Sequence, residues 1–281
     1  MFDKALFERE AARLIGAFSG TAAYSIRSLD GRVCVDYQPE LLLESASVGK
    51  TFILGALLEA CAGGRVRLDR MLTLKESDIT GGSGTLCHLT PGLTLSVHDT
   101  AMLMVITSDN TATNMILDLL GGAEAVKVHM AKNGAAVSRV NRKITGDPAV
   151  IARGPFSQAT AGELSEYLFR MESGQVLPDK YRAVFDDMFL RQQYKNFFPR
   201  RLPLADFSAD ETNGRILCGC KTGFTSGTRA DAGFLRLRSG EEWVYAVLSN
   251  GCADPGFSPD NEANVLFADL GSLWLRALGT A

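Results

Sequence analysis

Short β-rich runs cluster near the two ends of this 281-residue chain, and helical or loop patterning fills the middle. Residues 21–28 (TAAYSIRS) and 32–38 (RVCVDYQ) read as two strands joined through Leu29-Asp30-Gly31, and Asp-Gly between β-rich runs signals a hairpin. Residues 215–221, 229–237 and 242–249 alternate or run apolar in the same way, with Ser239-Gly240 as the last turn. Strands so far apart in sequence pair most simply in one antiparallel sheet, with the helical middle inserted between them. The expected class is α/β in the α+β sense, an antiparallel sheet flanked by helices plus an all-α insertion. Residues 1–45 and 205–281 would form the sheet domain and 46–204 the all-α domain, with a site between them.

The helices differ in character. Residues 2–18 are amphipathic, with Phe2, Leu6, Ala12, Leu14 and Phe18 interleaved with charges. Residues 47–62 are apolar almost all round (Phe52, Ile53, Leu54, Ala56, Leu57, Leu58), so this helix belongs inside the protein, ended by Gly63-Gly64. Ser96-x-x-Asp99 is a capping-box variant opening a helix through Thr107. Further helices are expected at 111–120, 123–133, 160–172, 180–193 and 260–278. Residues 81–96 form a Gly-rich loop. The stretch 138–158 has no period and holds Gly146, Pro148, Gly154 and Pro155, a long irregular segment of the kind that often carries function.

Composition excludes several classes. Apolar residues make up 46% and charged residues 22%, and the formal net charge is −3, so neither disorder nor a nucleic-acid or anionic-membrane partner is indicated. The longest apolar run, Phe52 to Ala62, contains Glu59 and is too short to span a bilayer. Charges break up the first 20 residues, which therefore do not read as a secretory leader, and the chain opens with Met1. A cytoplasmic monomer is expected. The six cysteines (Cys34, Cys61, Cys87, Cys218, Cys220, Cys252) read as buried free thiols. The three histidines lack metal-ligand spacing, so no metal and no organic cofactor are expected.

Three short motifs carry chemistry. Ser47-Val48-Gly49-Lys50 opens the buried helix, and a spacing of three puts Ser47 and Lys50 on one face. A serine hydroxyl needs a base to become a nucleophile, and a lysine kept neutral by burial and nearby positive charge can serve. Ser108-Asp109-Asn110 lies in a turn between helices: Ser108 can pass a proton to a leaving nitrogen, and Asn110 can hold Lys50 and the substrate. Lys221-Thr222-Gly223 ends a predicted strand. Lys221 adds a second cation, Thr222 can help it hold a substrate carboxylate, and Gly223 lets a substrate lie against the strand. The N–H groups of Ser47 and Phe224 would form an oxyanion hole. Each motif also has a plainer reading, as a helix cap, a polar turn or an edge-strand charge. A P-loop fails because Glu44 stands where its first glycine belongs.

Together, in this order, the motifs resemble the S-x-x-K, S-D-N and K-T-G elements of class A β-lactamases and penicillin-binding proteins. GGSGTL at 81–86, LTPGLTLSVHD at 89–99 and SDNTATNMILDLLGG at 108–122 look like the helical domain of that family, and KTGFTSGTRADAGFL at 221–235 like its catalytic strand and hairpin. The similarity covers most of 44–135 and 215–250. It implies a β-lactamase-like fold, and it makes Arg229 the hairpin arginine that supports substrate-carboxylate binding. It also implies a loop glutamate, in the form R-x-E-x-x-L-N, that activates the deacylating water. Counting from Arg142, that position falls on Ile144, and Asp147 is the one acid nearby. The expected function is a serine acyl hydrolase that opens β-lactam or similar small amide or ester carbonyls through Ser47, with slow deacylation. Its substrate would be a small carboxylate-bearing acyl compound. The alternatives are a D-alanyl-D-alanine peptidase or cytosolic esterase, or a penicillin-binding sensor without turnover. Asp147 is the candidate substitute base.

Overall fold

The computed structural model describes residues 2–205 and 216–279. In chain order the elements are α1 (Lys4–Gly16), β1 (Thr21–Ser28), β2 (Cys34–Tyr37), β3 (Leu43–Glu44), α2 (Lys50–Ala62), β4 (Met71–Thr73), β5 (Thr94–Ser96), α3 (Val97–Ile106), α4 (Asn110–Leu120) and α5 (Ala123–Lys132). There follow β6 (Arg139–Val140), α6 (Pro148–Ile151), β7 (Ser157–Ala159), α7 (Ala161–Glu172), α8 (Asp179–Leu190), β8 (Ile216–Thr225), β9 (Thr228–Leu237), β10 (Glu242–Asn250) and α9 (Glu262–Ala277).

The two ends of the chain pair as expected. β1 runs antiparallel to β10, from Thr21 opposite Asn250 to Ser28 opposite Trp243, and the sheet order is β2-β1-β10-β9-β8. Side chains alternate across it, as a period of two requires. Trp243, Tyr245 and Val247 of β10 join an apolar core with Phe7 and Ala11 of α1 and Phe267 and Leu270 of α9. Val244, Ala246 and Leu248 turn the other way and join a second core with α2, α3, α4, α7 and α8. In that core Phe52, Leu54 and Leu57 of α2 are fully buried, each worth about 1.5–3 kcal/mol relative to exposure. Ionic braces tie the helices to the sheet: Arg27 of β1 meets Glu166 of α7, and Arg236 of β9 meets Glu172 and Asp186.

Several boundaries differ from expectation for local reasons. The helix expected at 47–62 enters through a 3-10 turn, Ala46–Gly49, so the α-helix itself opens at Lys50. The strand expected at 215–221 has its first residue outside the described residues and runs on to Thr225, because the β9 hairpin partner extends its ladder. The irregular stretch 138–158 supplies β6 and β7, which form a small sheet with β3 in the order β3-β7-β6. The stretch 81–96, expected as loop throughout, ends in a strand, β5, which pairs antiparallel with β4. All six cysteines are free, but Cys34 and Cys87 are only half-buried. No described helix is long and apolar enough to cross a membrane.

Candidate active site

Strand β8 is the sheet edge that meets the helical region, and Gly223 is where it touches the Ser47 turn. A Cβ on Gly223 would lie 2.7 Å from both Ser45 O and Ser47 N. No side chain fits, so glycine sets how closely β8 approaches the serine. The turn is strained: Ala46 has φ +43°, a conformation that costs a non-glycine residue of order 1–3 kcal/mol. Ser157 Oγ donates to Ala46 O and shares a 2.9 Å hydrogen bond with Ser45 Oγ, which holds the turn in place. The Ser47 hydroxyl stands half-buried on the cleft wall and makes no hydrogen bond to another described residue.

One turn further on, Lys50 is fully buried. Its Nζ lies 2.6 Å from Ser108 O, 2.9 Å from Asn110 Oδ1 and 3.1 Å from Ser108 Oγ. Lys221 is also fully buried, with its Nζ 3.1 Å from the same Ser108 Oγ and 2.7 Å from Thr222 O. Two amines thus converge on one hydroxyl. Burial first, and the Lys221 charge second, hold the Lys50 amine well below the usual lysine range, against a smaller opposing pull from Asp109. Burial pushes Lys221 down to about 7, with the anionic forms of Cys220 and Asp231 pulling it up.

Ser108 and Asn110 are presented by the break between α3 and α4. Ser108 has φ +57°, a second strained non-glycine residue at the cleft. Asp109, to which sequence reasoning gave no role, fixes this break. Its Oδ1 caps α4 by accepting from Ala112 N at 2.9 Å, and its Oδ2 accepts from Thr85 N and Leu86 N at 2.6 and 2.8 Å. Gly84, at φ +103°, leaves room for it: a Cβ there would sit 2.3 Å from Asp109 Cα. Asn110 Nδ2 donates to Gly81 O, so the Gly-rich loop is clamped over the cleft rather than free.

The cleft has a volume of about 410 Å³, and its walls include Ser47, Ser108, Asn110, Ile144 and Phe224. Ile144 stands at the position counted from the sequence as that of the loop glutamate. Asn114 of α4 holds it by the backbone, accepting from Ile144 N and donating to Ile144 O, both at 2.8 Å. Asp147 does not reach this wall. It is exposed, and its carboxylate caps the short helix α6 by accepting from Ala149 N. The expectation that it could act as a base in the cleft is therefore corrected.

Two other expected residues sit elsewhere. Arg229 is 2% exposed, with its donors taken by Asn264 Oδ1 and by the carbonyls of Thr225, Thr228 and Gly256. It braces the hairpin to α9 and does not line the cleft. Thr222 is 1% exposed, its hydroxyl has no hydrogen-bond partner among the described residues, and it is paired in register with Asp231. Paired residues share a sheet face. Asp231 accepts from Phe198 N and Tyr245 Oη on the α9 side, so Thr222 faces that side too. Sequence reasoning also missed three wall residues, Glu44, Phe156 and Phe257. Glu44 lies three residues before Ser47 but belongs to none of the three motifs, and Phe156 and Phe257 are brought to Ser47 only by the folded loops. Among the described residues, no group of three or more His, Cys, Asp or Glu side chains gathers as a metal site would require.

Comparison with known proteins agrees with this geometry. Residues 6–278 match the model of the beta-lactamase enzyme family. The chain is 27% identical to beta-lactamase FAR-1 of Nocardia farcinica over 269 residues, 92% of this chain and 76% of that protein. A Proteus vulgaris beta-lactamase is 34% identical over 122 residues, but there the chain spans only 40% of the relative's length. Among solved structures, a beta-lactamase from Sphaerobacter thermophilus superposes with TM-score 0.86 at 27% identity, covering 99% of each chain. The structure titled PBP-A shares the fold, with TM-score 0.84 at 23% identity over 98% of this chain and 96% of that one. With the match running over nearly its whole length, and with antiparallel sheet, helical layer and cleft in place, the chain belongs to the beta-lactamase enzyme family.

Proposed function

We propose that the chain is a serine hydrolase that opens small lactam, amide or ester carbonyls through a Ser47 acyl-enzyme. One observation carries this reading: Lys50 and Lys221 converge on the Ser108 hydroxyl, beside a Ser47 hydroxyl that has no hydrogen-bond partner among the described residues. A neutral Lys50 spends two N–H groups on Ser108 O and Asn110 Oδ1 and keeps a lone pair for a proton. Ser47 Oγ attacks the carbonyl carbon and its proton passes to Lys50. The N–H groups of Ser47 and Phe224 stabilise the oxyanion. When the acyl bond breaks, Ser108 donates to the leaving atom and is reprotonated from the lysine side. A substrate carboxylate would lie toward Lys221. Thr222 and Arg229 act on it only from behind the strand.

Water must then attack the ester. The wall that would have to activate it presents Ile144 and Phe156, neither of which can accept a proton. Deacylation is accordingly slow, which favours a peptidase-like or penicillin-retaining protein over a fast lactamase. Intact-mass measurement after addition of benzylpenicillin tests both parts. A single adduct should form and persist for many minutes in the wild type and be absent from Ser47→Ala. An adduct on the Ser47→Ala protein, or none on the wild type, would overturn the nucleophile assignment. Loss of the adduct within seconds would overturn slow deacylation.

A further inference from the structure

The charges that face a ligand in this cleft are not those that do the acyl chemistry. Lys50 and Lys221 are fully buried behind Ser108, and Arg229 is buried under the hairpin. Among the described wall residues, Glu44 alone has an ionisable side chain. It is half-buried, and its carboxylate has two weak neutral partners, Thr225 Oγ1 at 3.4 Å and Thr228 Oγ1 at 3.3 Å. Among the described residues it forms no ion pair with a basic side chain. Its backbone is locked, with Glu44 N donating to Asn250 Oδ1 and Asn250 Nδ2 donating to Glu44 O. The carboxylate is therefore held at the hairpin end of the cleft, three residues along the chain from Ser47.

Two aromatic rings share that end. Phe224 and Phe257 are 40% and 64% exposed, and their ring centroids lie 5.8 Å apart, nearly edge to face. A carboxylate beside partly exposed rings is the chemistry that receives an organic cation, since both attract it and the rings shed water readily. Phe257 already shows that affinity, with the Arg229 guanidinium carbon 5.5 Å from its ring centroid. Burial raises the Glu44 carboxyl above its usual range, with the two threonine hydroxyls opposing. A cation placed there would restore the partner that the fold does not supply.

We propose that Glu44, with Phe224 and Phe257, forms a subsite for a cationic group on the acyl side of the substrate. The preferred acyl donors are then those carrying an ammonium group on the acyl side chain. This rests on the Ser47 acyl-enzyme reading and adds a substrate class to it.

The test uses three penicillins that differ only at the side-chain α-carbon, bearing ammonium (ampicillin), hydrogen (benzylpenicillin) or carboxylate (carbenicillin). Acylation rate constants are measured by quenched intact-mass time courses. In the wild type, the ammonium compound should acylate at least about tenfold faster than the carboxylate compound at low salt, with the neutral one between. Raising the ionic strength from 0.05 to 0.5 M should compress that ratio, because the subsite is open to solvent. In Glu44→Gln the ratio should fall toward one. A ratio near one in the wild type, or one that survives Glu44→Gln, overturns the subsite. The salt arm needs no variant and stands if Glu44→Gln folds poorly. Failure of all three compounds to label Ser47 would instead sink the acyl-enzyme reading, so the two failures are distinguishable.

Discussion

Replacing Lys50 with methionine is expected to slow acylation by about 10²–10⁴-fold, the usual contribution of a positioned general base. The side chain is fully buried, so its amine cannot be replaced by bulk water. Its pH behaviour gives a second readout. Lys50 works as the neutral amine, and burial together with Lys221 depresses its affinity for the proton. Acylation by the wild type should therefore rise with pH through a region far below the ordinary lysine range. Lys221 must be charged to attract a substrate carboxylate, and it loses its proton near pH 7 in the free protein. For carboxylate-bearing substrates the second-order rate should accordingly fall above that pH, giving a bell. The rising limb should vanish in Lys50→Met. The variant leaves Ser108 O and Asn110 Oδ1 without their donor, at about 1–3 kcal/mol per orphaned acceptor, so circular dichroism must confirm a folded protein. A folded Lys50→Met protein that still acylates at the wild-type rate would exclude Lys50 as the base.

The second large effect is a gain. Ile144→Glu should shorten the lifetime of the penicillin adduct by about 10²-fold or more, again the scale of one general base. Asn114 grips both backbone polar groups of Ile144, so the substitution changes the side chain on a wall that is already fixed. A carboxylate there faces the ester and can take a proton from water, which the sec-butyl side chain of isoleucine cannot. The measurement is the decay of the adduct mass after excess penicillin is removed. An unchanged lifetime would show that water does not approach the ester from this wall.

Much of the fold was legible because its signals are periodic. The Asp30-Gly31 turn, the all-round apolar α2 and the Gly121-Gly122 stop each follow from local rules, and the structure has them where they were expected. β3, β4 and β6 were not legible, since strands of two or three residues have no period to detect. At the site, Ser108, Asn110, Lys50 and Lys221 were found because three motifs place them, and the structure joins them by direct hydrogen bonds. Arg229 was misread as a cleft residue because its sequence position reveals nothing about Asn264 or the carbonyl of Gly256, which lie far along the chain. Phe257 was invisible for the same reason in reverse, since nothing beside it in sequence points to Ser47, whereas Glu44, three residues before Ser47, belongs to none of the three motifs. Asp147 looked like a base because it was the lone acid in its loop, yet Asp-Pro before a short helix is a cap.

The inner sheet face and helices α2, α3, α4, α7 and α8 share one apolar core. Ala230, Ala232 and Phe234 of β9 lie in it beside Phe52 and Leu57 of α2. The walls of the cleft are therefore two sides of a single welded body, with no jaw to swing open around a guest. Phe224 and Phe257, 40% and 64% exposed, stand outside that core, so changes at this rim would reshape the groove without disturbing the packing beneath it.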